Sequence, residues 1–258
     1  MKKKELQQDA NQGYALQRRR ILHENSNFYV QEAYRTLRTN ILFSLPGDGG
    51  KCVAITSTNP HEGKSINSLN IAISFAQAGN RVLLVDTDMR RPTLARLLVE
   101  KATPGLSNVL AGQATAEKAI RRGVYENLDV LLSGDIPPNP TELLGSAAME
   151  QVLQQQKENY DFIIIDTPPV GVVSDVCVLA KSLDGVLFLV WQGRTEKDAL
   201  AQSIRQLEMS GIKLLGFILN DVESSSKKYG YKKGYAYSYS YSYAHTKKGK
   251  KGAHNDAE

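Results

Sequence analysis

Lys51-Cys52-Val53-Ala54-Ile55-Thr56-Ser57-Thr58-Asn59-Pro60-His61-Glu62-Gly63-Lys64-Ser65-Ile66 is the stretch on which the fold turns. Cys52 to Thr56 is a short, largely apolar run, Thr58 to Ser65 reads as a loop, and Leu69, Ala72, Ile73 and Ala76 then keep helical spacing up to Gly79. A strand leading through a Gly-Lys-Ser loop into a helix is the context of a Walker A phosphate-binding loop. Backbone N–H groups and the helix N-terminus converge on the phosphates, Lys64 reaches the β and γ oxygens, and Ser65 ligates Mg2+. Thr58 stands where the general pattern begins with Gly.

Similar apolar runs follow at 82–86 (VLLVD), 128–132 (LDVLL), 162–166 (FIIID), 185–190 (GVLFLV) and 214–219 (LLGFIL). Strands buried on both faces read this way, as in a parallel sheet covered by helices. Helical stretches are expected at 28–45, 141–158 and 195–210. The spacing therefore predicts an α/β fold with a doubly wound, mainly parallel sheet, a P-loop NTPase. Asp86 and Asp166 close two of the strands and Asp88 follows the first of them. Strand ends of a parallel sheet share one edge with the loop, so one carboxylate suits a Mg2+ (Walker B) role and another suits acceptance of a proton from an attacking hydroxyl. Helix capping by Asp86 or Asp166 is the bland alternative.

The charge of the chain is unevenly placed. Of the net +5 over 258 residues, the segment 224–258 carries +6, eight lysines against Asp256 and Glu258, which leaves residues 1–223 near −1. A broad basic groove for nucleic acid loses its support, and no nucleic-acid partner is expected. That segment holds seven tyrosines and no Leu, Ile, Val, Phe or Met, so it cannot bury a core and is expected to be a disordered tail. Residues 1–27, with charge blocks at Lys2 to Lys4 and Arg18 to Arg20, read as a flexible basic arm or marginal helix, and 28–223 as the folded domain. In the helix that opens this domain, Val30, Ala33, Tyr34, Leu37 and Ile41 form one stripe and Glu32, Arg35 and Arg38 a neighbouring face. Cys52 and Cys177 lie in apolar runs, which favours buried thiols over a disulfide and a cytoplasmic setting; neither a membrane span nor a signal peptide is expected.

Together these motifs resemble the bacterial tyrosine kinases (BY-kinases) of capsule and exopolysaccharide synthesis: Ser57 to Ser65, VLLVDTDMRRP (82–92) as a second Walker motif, FIIIDTPP (162–169), SGDIPPNPTELL (133–144) and the tyrosine-rich tail. The resemblance implies an ATP-dependent, Mg2+-requiring protein-tyrosine kinase that autophosphorylates its tail in trans at Tyr229, Tyr231, Tyr235, Tyr237, Tyr239, Tyr241 and Tyr243. It implies catalytic roles for Lys64, Asp86 (as base), Asp88 and Arg90, and nucleotide contacts from Thr58, Asn59, Pro60, His61, Glu62, Gly63, Lys64, Ser65 and Ile66. Mg2+ would be held among Ser65, Asp86, Asp88 and Asp166. Glu32, Arg35 and Arg38 match an EX2RX2R oligomerisation motif, which implies a ring-like homo-oligomer. The implied partners are a membrane-spanning polysaccharide co-polymerase adaptor that recruits the chain to the inner face of the membrane, protein substrates of polysaccharide synthesis, and a counteracting tyrosine phosphatase. Members commonly have Gly where this chain has His61, a place that favours positive φ.

Tyr235 to Tyr243 alternate with Ala or Ser, so an extended tail projects five rings to one side. Several phosphorylations would reverse the tail's +6 and release it from an acidic crevice or change its partners. Two other functions compete. A positioning ATPase of the deviant-Walker type has Lys where this chain has Asn59 and lacks a tyrosine tail. A non-catalytic scaffold of the assembly machinery is disfavoured by the intact Lys64, Ser65, Asp86, Asp88 and Asp166.

Overall fold

The computed structural model describes residues 13–221; the tail tyrosines and residues 1–12 lie outside them. Seven strands form one sheet: β1 (Lys51–Ser57), β2 (Val82–Asp86), β3 (Ile120–Tyr125), β4 (Leu128–Leu131), β5 (Phe162–Asp166), β6 (Gly185–Trp191) and β7 (Leu214–Asn220), in the order β3-β4-β2-β5-β1-β6-β7. All neighbours pair parallel except β3 with β4. The longer helices are α1 (Phe28–Ser44), α2 (Lys64–Ala76), α3 (Ala147–Asn159) and α4 (Lys197–Met209).

Both faces of the sheet are covered, as the apolar runs require. Val53, Ile55 and Ile164 face one core with Leu69, Ile73 and Phe75 of α2, while Cys52, Ala54, Ile163 and Ile165 face a second with Leu153 of α3 and Leu207 of α4. Each fully buried Leu or Ile contributes about 1.5–3 kcal/mol. The pairing that matters for the site is Asp86 opposite Asp166, in register at the ends of β2 and β5, with Ile55 of β1 on the other side of Asp166.

Three local readings change. β3 was not expected: its sequence IRRGVY carries Arg121 and Arg122, and only Ile120 is buried. Charge suits an exposed edge strand, and Asn127, at φ 60°, turns the chain into β4. The helical stretch expected over 141–158 breaks after Leu144, and Ser146 caps α3 by accepting the Met149 amide at 3.4 Å. Residues 13–27, read as part of a flexible arm or marginal helix, contain a short helix and are anchored at Leu22, with most of their side chains exposed. Residues 13–18 are helical, Leu22 is 3% exposed, and the Asn70 side chain of α2 bonds both the Leu22 amide (2.8 Å) and the Arg20 carbonyl (2.9 Å). A polar segment is held here by backbone satisfaction more than by apolar area.

On α1 the expected stripe is only part-buried: Ile41 is enclosed, Tyr34 and Leu37 pack at the edge, and Val30 stays exposed. The neighbouring face divides. Glu32 and Arg35 pair with each other at 2.6 Å on the surface, whereas Arg38 Nη1 donates to the Ser74 carbonyl of α2 at 2.6 Å. Cys52 is fully buried, its thiol pushed up to about 12 by burial, and Cys177 is half-buried; both are free. No helix among the described residues is long and apolar enough to cross a membrane.

Candidate active site

The loop between β1 and α2 wraps the helix N-terminus. Gly63 sits at φ 96° as the N-cap, and a Cβ there would lie 2.5 Å from Asn220 Nδ2, so only glycine fits. His61 takes φ 64°, left-handed, as its replacement of the usual glycine requires. A side chain in that region costs about 1–2 kcal/mol. His61→Gly is therefore expected to raise the melting temperature slightly, by up to about 4 °C, with labelled-nucleotide affinity kept within about threefold; a lower melting temperature in a thermal scan would show that the ring makes a compensating contact.

Lys64 is nearly buried and donates to Ser57 Oγ at 3.1 Å, which leaves two N–H directions for phosphate oxygens. Burial holds its pKa down, opposed by Asp166, Asp88 and Glu62. Glu62 does not face the cavity. It is 3% exposed, accepts the Asn59 amide (2.9 Å) and the Thr195 hydroxyl (2.5 Å), and offers its carbonyl to Asn220 Nδ2 (2.8 Å). It braces the loop from behind. Thr58 is likewise buried, and Gly171 passes so close that a Cβ would lie 2.4 Å from the Thr58 carbonyl. Pro60, His61, Gly63, Lys64, Ser65 and Ile66 line the cavity in front of the loop. Thr195 and Asn220, the far ends of the brace, gave no sequence signal because they lie 133 and 158 residues from Glu62.

Asp86 and Asp166 are both fully buried. Asp86 Oδ1 accepts the Asp88 amide at 3.1 Å and Asp166 Oδ1 accepts the Ser68 hydroxyl at 3.1 Å, but Oδ2 of each has no partner. Burial drives the Asp86 carboxyl well above its ordinary range, with the charges of Asp166 and Asp88 adding to it. Burial also raises Asp166, against the hydroxyls of Ser65 and Ser68 and the Lys64 charge. Two facing carboxyls with an unpartnered oxygen apiece fit a cation, which answers both the repulsion and the missing partners. Among the described residues no three or more His, Cys, Asp or Glu side chains form a closed cage; Mg2+ needs none, since it keeps waters and takes substrate phosphates.

Asp88 lines the cavity and also caps a turn, its Oδ1 accepting the Arg91 amide at 2.9 Å. Arg90 lines it too, but its guanidinium is clamped by buried Asp175 (3.3 Å) and Thr141 Oγ1 (2.8 Å). An uncommitted phosphate ligand is not what this geometry shows. On the opposite flank Tyr34 of α1 donates to Asn67 Oδ1 (2.9 Å), and Asn67 Nδ2 donates to the Gly63 carbonyl (2.9 Å), so α1 is tied to the loop by two hydrogen bonds.

The cavity is basic. Arg19, Arg20, Lys64, Arg91 and Arg96 line it against Asp88 and Asp221. The expectation of an acidic crevice that a phosphorylated tail would leave is not matched by this lining, in which the basic side chains outnumber Asp88 and Asp221.

A Gly-capped helix N-terminus, a buried lysine and two paired carboxyls at one edge of a parallel sheet define a P-loop nucleotide-binding protein. Residues 50–207 match the family model described as AAA domain, AAA_31. The tyrosine-protein kinase YwqD of Bacillus subtilis is 40% identical over 222 residues, which cover 86% of this chain and 94% of that one. The chimerical protein CapA2B2 superposes with a TM-score of 0.73 at 38% identity, covering 76% of this chain and 87% of that one. The kinase domain of Escherichia coli tyrosine kinase ETK does so with 0.72 at 35%, covering 80% of each. The chain belongs to the family of bacterial tyrosine-protein kinases.

Proposed function

We propose that this protein is an ATP- and Mg2+-dependent protein-tyrosine kinase that phosphorylates its own tail tyrosines between subunits and regulates capsule or exopolysaccharide synthesis. The observation that carries the reading is the carboxyl pair, Asp86 and Asp166, each with an unpartnered oxygen, buried at the strand ends beside the loop that presents Lys64. Lys64 and the loop N–H groups hold the β and γ phosphates. Ser65, Asp86, Asp88 and Asp166 are the residues that would hold Mg2+, which when bound neutralises charge on the transferring phosphoryl group. In the transfer, the bond from the γ phosphorus to the β,γ-bridging oxygen breaks and one to the tyrosine oxygen forms. ADP leaves with the electron pair, and the phenolic proton passes to Asp86, whose raised affinity for a proton suits it as acceptor.

The exposed Glu32–Arg35 pair remains available to a neighbouring subunit in a ring, while Arg38 holds α1 in place. A membrane-spanning adaptor that recruits the chain to the membrane, polysaccharide-synthesis proteins as substrates and a phosphatase that resets the tail complete the reading. The deviant-Walker ATPase alternative is disfavoured by Asn59, which stands where that class has Lys. The test is incubation with Mg2+-ATP, with and without the adaptor's cytoplasmic segment, followed by mapping of phosphate by mass spectrometry. Phosphotyrosine between 229 and 243 that falls by at least about 10³-fold in Lys64→Met is expected. Phosphate release without phosphotyrosine would instead establish an ATPase switch.

A further inference from the structure

The cavity in front of the loop measures about 1270 Å3, more than the roughly 300–1,000 Å3 that encloses one small molecule. Part of its wall comes from the N-terminal segment and from the turn and short helix (Leu94–Leu98) after β2, where Arg19, Arg20, Arg91 and Arg96 stand. None of the four is ion-paired to a carboxylate among the described residues, in contrast to Arg90 on Asp175. Arg96 is fixed in place: Arg18 Nη2 donates to its carbonyl at 2.7 Å, its Nη1 donates to Tyr14 Oη at 2.8 Å, and its guanidinium lies 5.3 Å from the centre of the Tyr14 ring. The nucleotide phosphates are served by the loop N–H groups and Lys64. These guanidiniums are positive charge beyond that need.

Charge decides what they suit. The unmodified tail is itself cationic and draws no affinity from these guanidiniums. A phosphotyrosine brings about −1.5 to −2 charges and three acceptor oxygens, which a guanidinium meets with two parallel N–H···O bonds. In an extended segment Tyr235 to Tyr243 recur on one side about 6.5–7 Å apart, so a phosphotyrosine seated on the arginines leaves an unmodified neighbour within the same cavity.

We propose that Arg19, Arg20, Arg91 and Arg96 form a phosphotyrosine subsite, which seats an already phosphorylated residue of the tail while a neighbouring tyrosine enters the transfer site. The first phosphorylation thereby primes the next. This rests on the kinase reading for its purpose, but the binding it requires is measurable without any transfer.

The test titrates the full chain with Mg2+-ADP into a fluorescein-labelled peptide of residues 233–245, either unmodified or phosphorylated at Tyr239, read by anisotropy. The phosphopeptide is expected to bind at least about tenfold tighter. Arg19→Ala/Arg20→Ala and Arg91→Ala/Arg96→Ala are each expected to cut that preference to about twofold or less, with labelled-ADP affinity unchanged as proof of folding. Equal affinity for the two peptides overturns the proposal, as does a preference that survives in both variants. Loss of ADP binding in them would reassign the arginines to the nucleotide. Loss only of binding to phosphatidylserine vesicles, with the peptide preference intact, would reassign them to a lipid surface. If phosphotyrosine never forms with ATP while the phosphopeptide preference stands, the kinase reading fails and the subsite does not.

Discussion

Asp86→Asn is expected to abolish phosphoryl transfer and, in the same protein, to raise the melting temperature of the nucleotide-free chain. Asp86 lies fully buried in register with Asp166, and its Oδ2 has no hydrogen-bond partner. Burial, then the charges of Asp166 and Asp88, raise its affinity for a proton above that of the unfolded chain, and burial raises Asp166 as well. The folded state therefore binds more protons than the unfolded one above the ordinary carboxyl range near 3.8. Linkage then makes stability fall as pH rises through that window and remain reduced at neutral pH. An amide of the same shape removes one buried charge. The gain is of order 1–3 kcal/mol, at about 2–4 °C per kcal/mol for a chain of this size. Transfer should drop by about 10²–10⁴ if Asp86 accepts the proton. Calorimetry from pH 5 to 8 should also show a flatter pH dependence in the variant. A lowered melting temperature with activity retained would remove Asp86 from both roles.

Glu62→Ala should have the opposite signature, loss of stability and of nucleotide affinity together. The change deletes the acceptor of the Asn59 amide and of the Thr195 hydroxyl. An unsatisfied buried group costs about 1–3 kcal/mol, so a fall in melting temperature on the order of 10 °C is expected. The loop, no longer held to Thr195 beyond β6 and tied to β7 only through the Glu62 carbonyl, should bind labelled nucleotide at least about tenfold more weakly. Glu62→Gln keeps one acceptor oxygen and should fall between. Were Glu62 a direct ligand, both variants would lose affinity with stability unchanged.

Much of this arrangement is legible in the sequence because its physics is local. The six apolar runs are strands, the glycine-lysine-serine turn opens a helix, and two strand-terminal carboxylates meet because parallel neighbours share an edge. What escapes reading depends on partners far along the chain. Arg90 looks free to meet a phosphate until Asp175, 85 residues on, clamps it. Glu62 looks like a cavity residue until Thr195 and Asn220 turn it inward. β3 hides because its charges suit an edge and mask the apolar period, and residues 13–27 are anchored by Asn70 and Arg96, far along the chain.

The chain leaves the folded domain through Asn220 and Asp221, whose side chains bond the Glu62 carbonyl and Trp191 Nε1. A cut meant to separate tail from core thus has a two-residue margin. A protein ending after Asp221 keeps both ties, and one ending after Leu219 gives up the buttress of its nucleotide loop along with its tyrosines. Inactivity in the shorter form would report a collapsed loop, whatever the tyrosines contribute.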